Sequence, residues 1–268
     1  MEELEEKVKL AVSGDKKALE KIVITIQDMI YNLALRMLWH PEDAKDAAQE
    51  ILIKVITNLS SFKHRSTFKT WVYRLATNTL INFKKKKFNQ PISFDSHAVQ
   101  LQEGLSETIS YSNNKAEQSL LIEEAKVGCS NAMLQCLNKE SRITYIIGEI
   151  LEFNSKEGAT ILQVSPENFR KRLSRARKSL HNFLQSNCGL VNPANTCRCH
   201  KKVDHSIKKG WITPNNLLFG THQKHDRLIQ AIEAIQNEVA LYQSNPEYEA
   251  PEILLQEVKR IITAADNV

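Results

Sequence analysis

Hydrophobic residues recur along most of this chain at intervals of three and four positions. That spacing places them on one face of an α-helix, whereas alternation would predict strands. Glycine and proline, which interrupt helices, number only 8 and 7 among 268 residues. The pattern therefore predicts an all-α fold.

The same pattern divides the chain into four parts. Residues 1–88 predict one small helical domain, in which Asp15 caps a long helix and Pro41 opens the next. Residues 89–115 are rich in Ser, Asn and Gln and predict a flexible linker. Residues 116–187 predict a second small helical domain, and residues 188–268 a C-terminal extension that ends in a helical hairpin hinged at SNPEYEAP.

The second domain ends in a helix-turn-helix pattern. Ser155 is placed to cap a short helix, the residues QVS form a tight turn, and Ser165 caps the next helix with Pro166 in its first turn. On that second helix, apolar residues from Phe169 to Leu180 form a single stripe that must be buried.

The outward face of this second helix is strongly basic. It carries Arg170, Lys171, Ser174, Arg175 and Lys178. Neighbouring like charges repel one another, and a polyanion relieves that repulsion. Because the second helix of a helix-turn-helix enters the DNA major groove, the pattern predicts duplex binding. The alternative is a solvated basic helix that packs on its own domain.

The helix that begins at Pro41 has an acidic face. Asp43, Asp46, Gln49 and Glu50 lie opposite its apolar residues. Such a face suits a partner protein better than DNA, although spacing alone favours a solvated helix surface.

Aromatic and basic residues interleave in the segment from Phe62 to Lys87. This mixture suits single-stranded nucleic acid, because bases stack on aromatic rings while cations hold phosphates. The alternative is that Phe68, Trp71 and Leu75, spaced i, i+3 and i+7, belong to the core.

Three cysteines open the C-terminal extension. Cys188, Cys197 and Cys199 precede His200 and His205 in a C-x8-C-x-C-H-x4-H pattern. Thiolates and imidazoles suit zinc or another thiophilic metal, although this is not a standard zinc-finger spacing. Free cytosolic thiols in a small packed segment are the alternative.

The overall composition and charge of the chain argue against several classes of protein. The net charge is only +5, so local clusters of charge are more informative than the total. The acidic N-terminal segment is unlike a signal peptide, and no run of apolar residues is long enough for a membrane span. The odd number of five cysteines favours a reducing cytoplasm. We find no nucleophile–base pair or phosphate loop, so an enzyme is not expected.

These features, in this order, resemble the bacterial RNA polymerase sigma factors of the compact extracytoplasmic-function (ECF) type. The stretch EDAKDAAQEILIKVITNLSSFKHRSTFKTWVYRLATNTLINFKKK resembles region 2 of that family. The stretch SPENFRKRLSRARKSL resembles the end of region 4. The likeness covers about residues 10–187, so the extension lies beyond it.

The resemblance implies a sigma factor that binds core RNA polymerase and directs promoter recognition and transcription initiation, with no required cofactor. The acidic face would bind polymerase, and the basic helix would read duplex promoter DNA. An anti-sigma factor, or the chain's own C-terminal extension, would regulate it. The melted non-template strand would be held by residues of the aromatic–basic segment, namely Phe68, Trp71, Arg74, Asn78 and Lys84.

Two positions depart from the family pattern, and one other function stays open. Asn82 stands four residues after Asn78, where the family usually has a carboxylate. Gly158 stands in the first helix of the motif, where the family usually has a hydrophobic residue, and it predicts a close helix crossing. The alternative function is a stand-alone helix-turn-helix transcriptional regulator, with residues 1–115 serving dimerisation or sensing.

Overall fold

The computed structural model describes residues 2–83, 92–108, 110–219 and 237–264, and its regular secondary structure there is helical throughout. This confirms the predicted all-α fold. Within these ranges, every helix is too short or too polar to cross a lipid bilayer. The α-helices are α1 (Glu2–Val12), α2 (Lys16–Leu38), α3 (Pro41–Thr57), α4 (Phe68–Asn82), α5 (Phe94–Gln102), α6 (Lys115–Gln135), α7 (Lys139–Tyr145), α8 (Ser155–Leu162), α9 (Pro166–Asn187), α10 (Cys199–Lys208), α11 (Glu238–Gln243) and α12 (Glu252–Ala264).

The predicted helix starts in the first domain are confirmed. The Asp15 side chain accepts a hydrogen bond from the backbone N–H of Ala18 at 3.0 Å. Pro41 occupies the first turn of α3, and His40 is the N-cap residue before it. These contacts satisfy backbone groups that a helix start leaves unpaired, so short local sequence signals set both boundaries.

The cap of α8 lies one residue earlier than predicted. The Asn154 side chain accepts a hydrogen bond from the Glu157 N–H at 3.1 Å, and the Glu157 carboxylate accepts one from the Asn154 N–H at 3.2 Å. This reciprocal capping box satisfies more backbone donors than a cap at Ser155 would, so Ser155 becomes the first residue of the helix.

The chain forms two compact units, and neither is a continuous segment. The first consists of residues 1–89, 153–171 and 247–268, and the second of residues 90–152 and 172–246. The sequence pattern predicts contiguous domains because local periodicity carries no information about which distant segments pack together.

In the first unit, α2 and α3 pack as a pair and α4 packs against both. Helix α8 lies on α4, and α12 lies on α2 and α3. The side chains of Ile30, Leu52, Val72 and Leu80 are fully buried among these helices. A layered helical core of this kind fixes the faces that α3 and α4 turn to solvent.

In the second unit, α10 packs on α6 around Leu121, Val203 and Ile212. A buried ion pair joins Lys126 to Glu123 at 3.0 Å, and the Lys126 ammonium also donates to the Ser244 carbonyl at 3.2 Å. These partners offset the cost of placing two charges in a low-dielectric core.

The predicted linker contains a helix that the sequence pattern does not show. Helix α5 begins after Ser93, whose hydroxyl accepts a hydrogen bond from the Ser96 N–H at 3.0 Å. His97 and Leu101 are its buried residues. With so few buried positions in a polar stretch, the periodic signal is weak, and the linker prediction is wrong for this segment.

The predicted C-terminal hairpin is described only in part. Its second helix is α12, which follows Pro251 as expected. Most of its first helix, including Leu228, Ile232 and Ile235, lies outside the described residues, and the structure describes only α11 there.

Gly158 does mark a close helix crossing. A Cβ atom added at this position would lie 2.3 Å from Cζ of Phe169, whose side chain is fully buried. The absence of a side chain on α8 thus lets the Phe169 ring of α9 pack directly against the helix backbone.

We expect Gly158→Ala to destabilise the protein by about 1–3 kcal/mol, because the added methyl group forces the buried Phe169 ring to shift within the core. Urea unfolding followed by circular dichroism measures this. The matched control is Gly128→Ala in α6, where the nearest atom to the added Cβ is 3.8 Å away. There, the gain in helix propensity predicts stabilisation of about 1 kcal/mol. Equal effects at the two sites would contradict the proposed crossing.

Candidate polymerase and nucleic-acid interfaces

A groove of about 710 Å³ runs between α3 and α4 in the first unit. Asp46, Gln49 and Glu50 line its α3 side. Leu75, Asn78, Thr79, Asn82 and Phe83 line the other side. The Lys54 ammonium spans the groove, because it donates to Glu50 at 2.6 Å and to the Thr79 hydroxyl at 3.2 Å. The structure therefore brings together residues that the sequence places in separate roles.

The acidic face of α3 is narrower than predicted. Asp43 is only 1% exposed, whereas Asp46 and Gln49 are partly exposed and Glu50 is exposed. Helix α3 packs against α2, α4 and α12, so its buried surface is wider than one apolar stripe requires. The sequence-based prediction was therefore wrong to include Asp43 in the binding surface. We call the remaining residues, Asp46, Gln49 and Glu50, the α3 ridge.

Two predicted strand-binding aromatics are part of the core. Phe68 is 1% exposed and Trp71 is 4% exposed. Their ring centroids lie 5.6 Å apart, and each ring also contacts Phe62. Buried rings offer no face on which a base can stack, so the core alternative describes these two residues in this structure.

The other predicted strand-binding residues lie nearer to the surface. Asn78 is exposed, and its side-chain amide donates to the side-chain carbonyl of Gln163 at 3.0 Å. Gln163 ends α8 in a left-handed conformation, with φ of 53°. Arg74 is half-buried, and Lys84 lies outside the described residues. The turn between α8 and α9 therefore contacts an α4 residue that the sequence predicts to bind DNA.

The basic face of α9 is as the sequence predicts. The residues of the apolar stripe, Phe169, Leu173, Ala176 and Leu180, are 8% exposed or less. The five residues of the predicted DNA-binding face, Arg170, Lys171, Ser174, Arg175 and Lys178, are all exposed. The helical period separates the two sets completely. Within the basic face, Lys171 pairs with Glu167 at 2.6 Å.

Two features organise the start and side of this basic helix. The Ser165 hydroxyl accepts from the Asn168 N–H at 3.1 Å, which confirms Ser165 as the cap residue. Arg177 pairs with Glu149. This ion pair raises the pKa of the Arg177 guanidinium and engages it outside the predicted DNA-binding face.

The cysteines of the extension are grouped with a fourth thiol that the sequence-based prediction omits. The Gly189 N–H donates to the Cys197 carbonyl at 3.1 Å, which holds Cys188 close to Cys197. Burial is the main cause that raises the pKa of the Cys129 thiol on α6, and the neighbouring thiols Cys188, Cys197 and Cys199 raise it further. Cys129 is distant in sequence, so no spacing motif could have included it.

All five cysteines are free thiols. Among the described residues, no three His, Cys, Asp or Glu side chains are arranged so that they could hold a metal ion. The zinc prediction therefore finds no support there. Burial also raises the pKa of Cys197 to about 11 and that of Cys136 to about 12.

We expect these thiols to react slowly with iodoacetamide in the folded protein at pH 8. The thiolate is the reactive species, and a raised pKa makes it scarce at that pH. The rate should rise as the pH approaches the raised values, and urea should restore the rate of an ordinary cysteine. Mass spectrometry of tryptic peptides identifies each labelled site. A native thiol that reacts at the unfolded rate would contradict the burial-based explanation.

Comparison with known proteins shows which family this chain resembles. The model of Sigma-70 region 2 matches residues 22–88, which include the groove between α3 and α4. ECF RNA polymerase sigma factor SigW of Bacillus subtilis is 32% identical over 187 residues, which cover 68% of this chain and 97% of that protein. ECF RNA polymerase sigma-E factor of Escherichia coli K12 is 28% identical over 172 residues, which cover 64% of this chain and 89% of that protein.

One solved structure, that of CnrH in complex with the cytosolic domain of CnrY, matches with a TM-score of 0.47 and 22% identity. It covers 67% of this chain and 96% of that chain. The identity to SigW extends over nearly all of that relative. The chain therefore belongs to the extracytoplasmic-function family of RNA polymerase sigma factors, which bind core polymerase and direct promoter recognition and transcription initiation.

Proposed function

We propose that this sigma factor divides its work between the α3 ridge, which binds core polymerase, and the basic face of α9, which reads duplex promoter DNA. Asn78 and Arg74 of α4 contact the melted non-template strand. All of these steps are binding steps, and none requires a covalent intermediate or a cofactor. The protein acts in the cytoplasm, where polymerase and promoter DNA are found.

The single observation that carries this proposal is the groove between α3 and α4. The carboxylate and amide groups of the α3 ridge line this groove together with Asn78. A stand-alone repressor needs neither an acidic protein-binding ridge nor a strand-binding residue beside it. The groove therefore favours a polymerase subunit over the helix-turn-helix regulator that the sequence left as an alternative.

The basic face of α9 supports the second half of the proposal. Phosphate contacts from lysine and arginine give affinity that falls with salt, whereas base contacts give sequence register. Arg170, Lys171, Ser174 and Arg175 lie in the N-terminal half of the helix, which is the part of a recognition helix that contacts base edges. Lys178 extends the cationic surface along the helix, which suits the DNA backbone.

The contact between Asn78 and Gln163 has a consequence for strand capture. The Asn78 amide is already hydrogen-bonded within the first unit. An unpaired base that accepts a hydrogen bond from this same N–H must therefore replace the contact with Gln163. Polymerase contacts on the neighbouring α3 ridge provide binding energy that can offset the replacement.

We expect Asp46→Arg or Glu50→Arg to weaken binding to core polymerase by about tenfold or more, because charge reversal places repulsive groups in a complementary interface. Surface-based binding assays with labelled sigma factor measure the dissociation constant. The control is Glu6→Arg, which reverses an exposed carboxylate on α1 and should leave affinity unchanged. Equal losses for ridge and control variants would point to a general charge effect and count against the α3 ridge.

We expect Arg170→Ala and Arg175→Ala each to reduce promoter-dependent transcription by reconstituted holoenzyme. The reason is that each lost base contact removes about 1–3 kcal/mol of the binding free energy that selects the correct base. Binding to core polymerase should stay the same. Arg177→Gln is the matched control, since it removes a charge from the same helix while keeping a hydrogen-bonding group toward Glu149. If Arg177→Gln lowers transcription as much as Arg170→Ala, the basic face has no specific role.

A further inference from the structure

Three polar side chains on one face of α2 bind the C-terminal segment, residues 247–260; two of them bind its backbone and the third binds a side chain. The Asn32 amide donates to the Tyr248 carbonyl at 2.7 Å and accepts from the Tyr248 N–H at 2.9 Å. The Asp28 carboxylate accepts from the Ala250 N–H at 2.9 Å. The Arg36 guanidinium pairs with Glu247 at 2.6 Å. Their spacing of four residues aligns all three along the helix.

Apolar contacts and charge fix the rest of the segment. Leu254 and Val258 on α12 are fully buried, and Tyr248 is 7% exposed. The Lys259 ammonium pairs with Glu20 near the start of α2 at 2.5 Å.

The two ion pairs at the ends of the segment have opposite polarity. Arg36 on α2 meets a glutamate of the segment, and Glu20 on α2 meets a lysine. In the reverse direction, like charges would meet at both ends and repel one another. Such an arrangement selects one orientation by attraction and rejects the other by repulsion, as specific interfaces do.

We infer that the C-terminal segment is a built-in competitor of core polymerase, docked on the α2–α3 surface and displaced when polymerase binds. Helix α12 packs on α3 as well as on α2. The α3 ridge lies on that same α3 helix. A large partner that binds the α3 ridge therefore approaches a helix that α12 already covers in part, and under this proposal the two binding events oppose each other.

The polar character of the docking makes release feasible. The segment is held by side-chain contacts to its backbone, by two ion pairs at its ends and by a short apolar stripe. Interfaces of this mixed kind within one chain open more readily than large hydrophobic ones. By linkage, a segment that binds only the polymerase-free state lowers apparent affinity for polymerase, and polymerase lowers the occupancy of the segment by the same factor.

This inference rests on the proposed function of the α3 ridge, and the experiment separates the two. The test variant is the double substitution Leu254→Asp with Val258→Asp, which places charges in the buried stripe of α12. The matched control is Ile253→Asp on the same helix, because Ile253 is 50% exposed. For each protein, hydrogen–deuterium exchange of residues 252–260 reports docking, and a binding assay reports affinity for core polymerase.

The double variant should lose exchange protection over residues 252–260 and bind core polymerase at least about fivefold more tightly than the unmodified chain. Ile253→Asp should change neither quantity. Release of the segment with unchanged or weaker polymerase binding would overturn the inference and leave the segment a structural element. Failure of the α3 ridge proposal shows separately, as unchanged affinity in Asp46→Arg.

A second measurement keeps the test valid if the double variant does not fold. Exchange of residues 252–260 is measured in the unmodified chain, alone and with saturating core polymerase. Competition predicts faster exchange in the complex, because polymerase displaces the segment. Protection that stays the same or increases on binding would overturn the inference without any substitution.

Discussion

The packing of α3 on three other helices is the constraint on which the functional surfaces depend. Ala44, Ala47 and Ala48 are fully buried, and their small side chains allow neighbouring helices to approach α3 closely. Close packing on several sides leaves only a narrow strip of this helix at the surface. That strip is the α3 ridge, so the same packing that stabilises the first unit decides which acidic residues can meet a partner.

Helix α4 extends this constraint to nucleic acid. Its aromatic residues Phe68 and Trp71 are buried, so they hold the helix in place and do not contact bases. Asn78 stays at the surface, beside the ridge and in contact with Gln163. The proposed polymerase-binding ridge, the proposed strand-binding residue and the turn between α8 and α9 thus consist of neighbouring groups.

The two units show different uses of burial. In the second unit, burial raises the pKa of the cysteine thiols and so makes them poor nucleophiles at neutral pH. In the first unit, burial of Leu254 and Val258 attaches the C-terminal segment to α2 through a small apolar stripe. The first use favours a stable interior, whereas the second underlies the reversible docking that we infer for the C-terminal segment. Composition alone does not distinguish them.

The sequence by itself determined most of the long helices of the described regions, the caps at Asp15 and Ser165, and the separation of apolar and basic faces on α9. These features depend on neighbours within a few residues. Only the tertiary structure decided that Asp43 is buried, that Cys129 joins the thiols of the extension, and that the C-terminal segment lies on α2. Each of these depends on contacts between residues far apart in the chain, and helical periodicity records which face of a helix is buried but not what buries it.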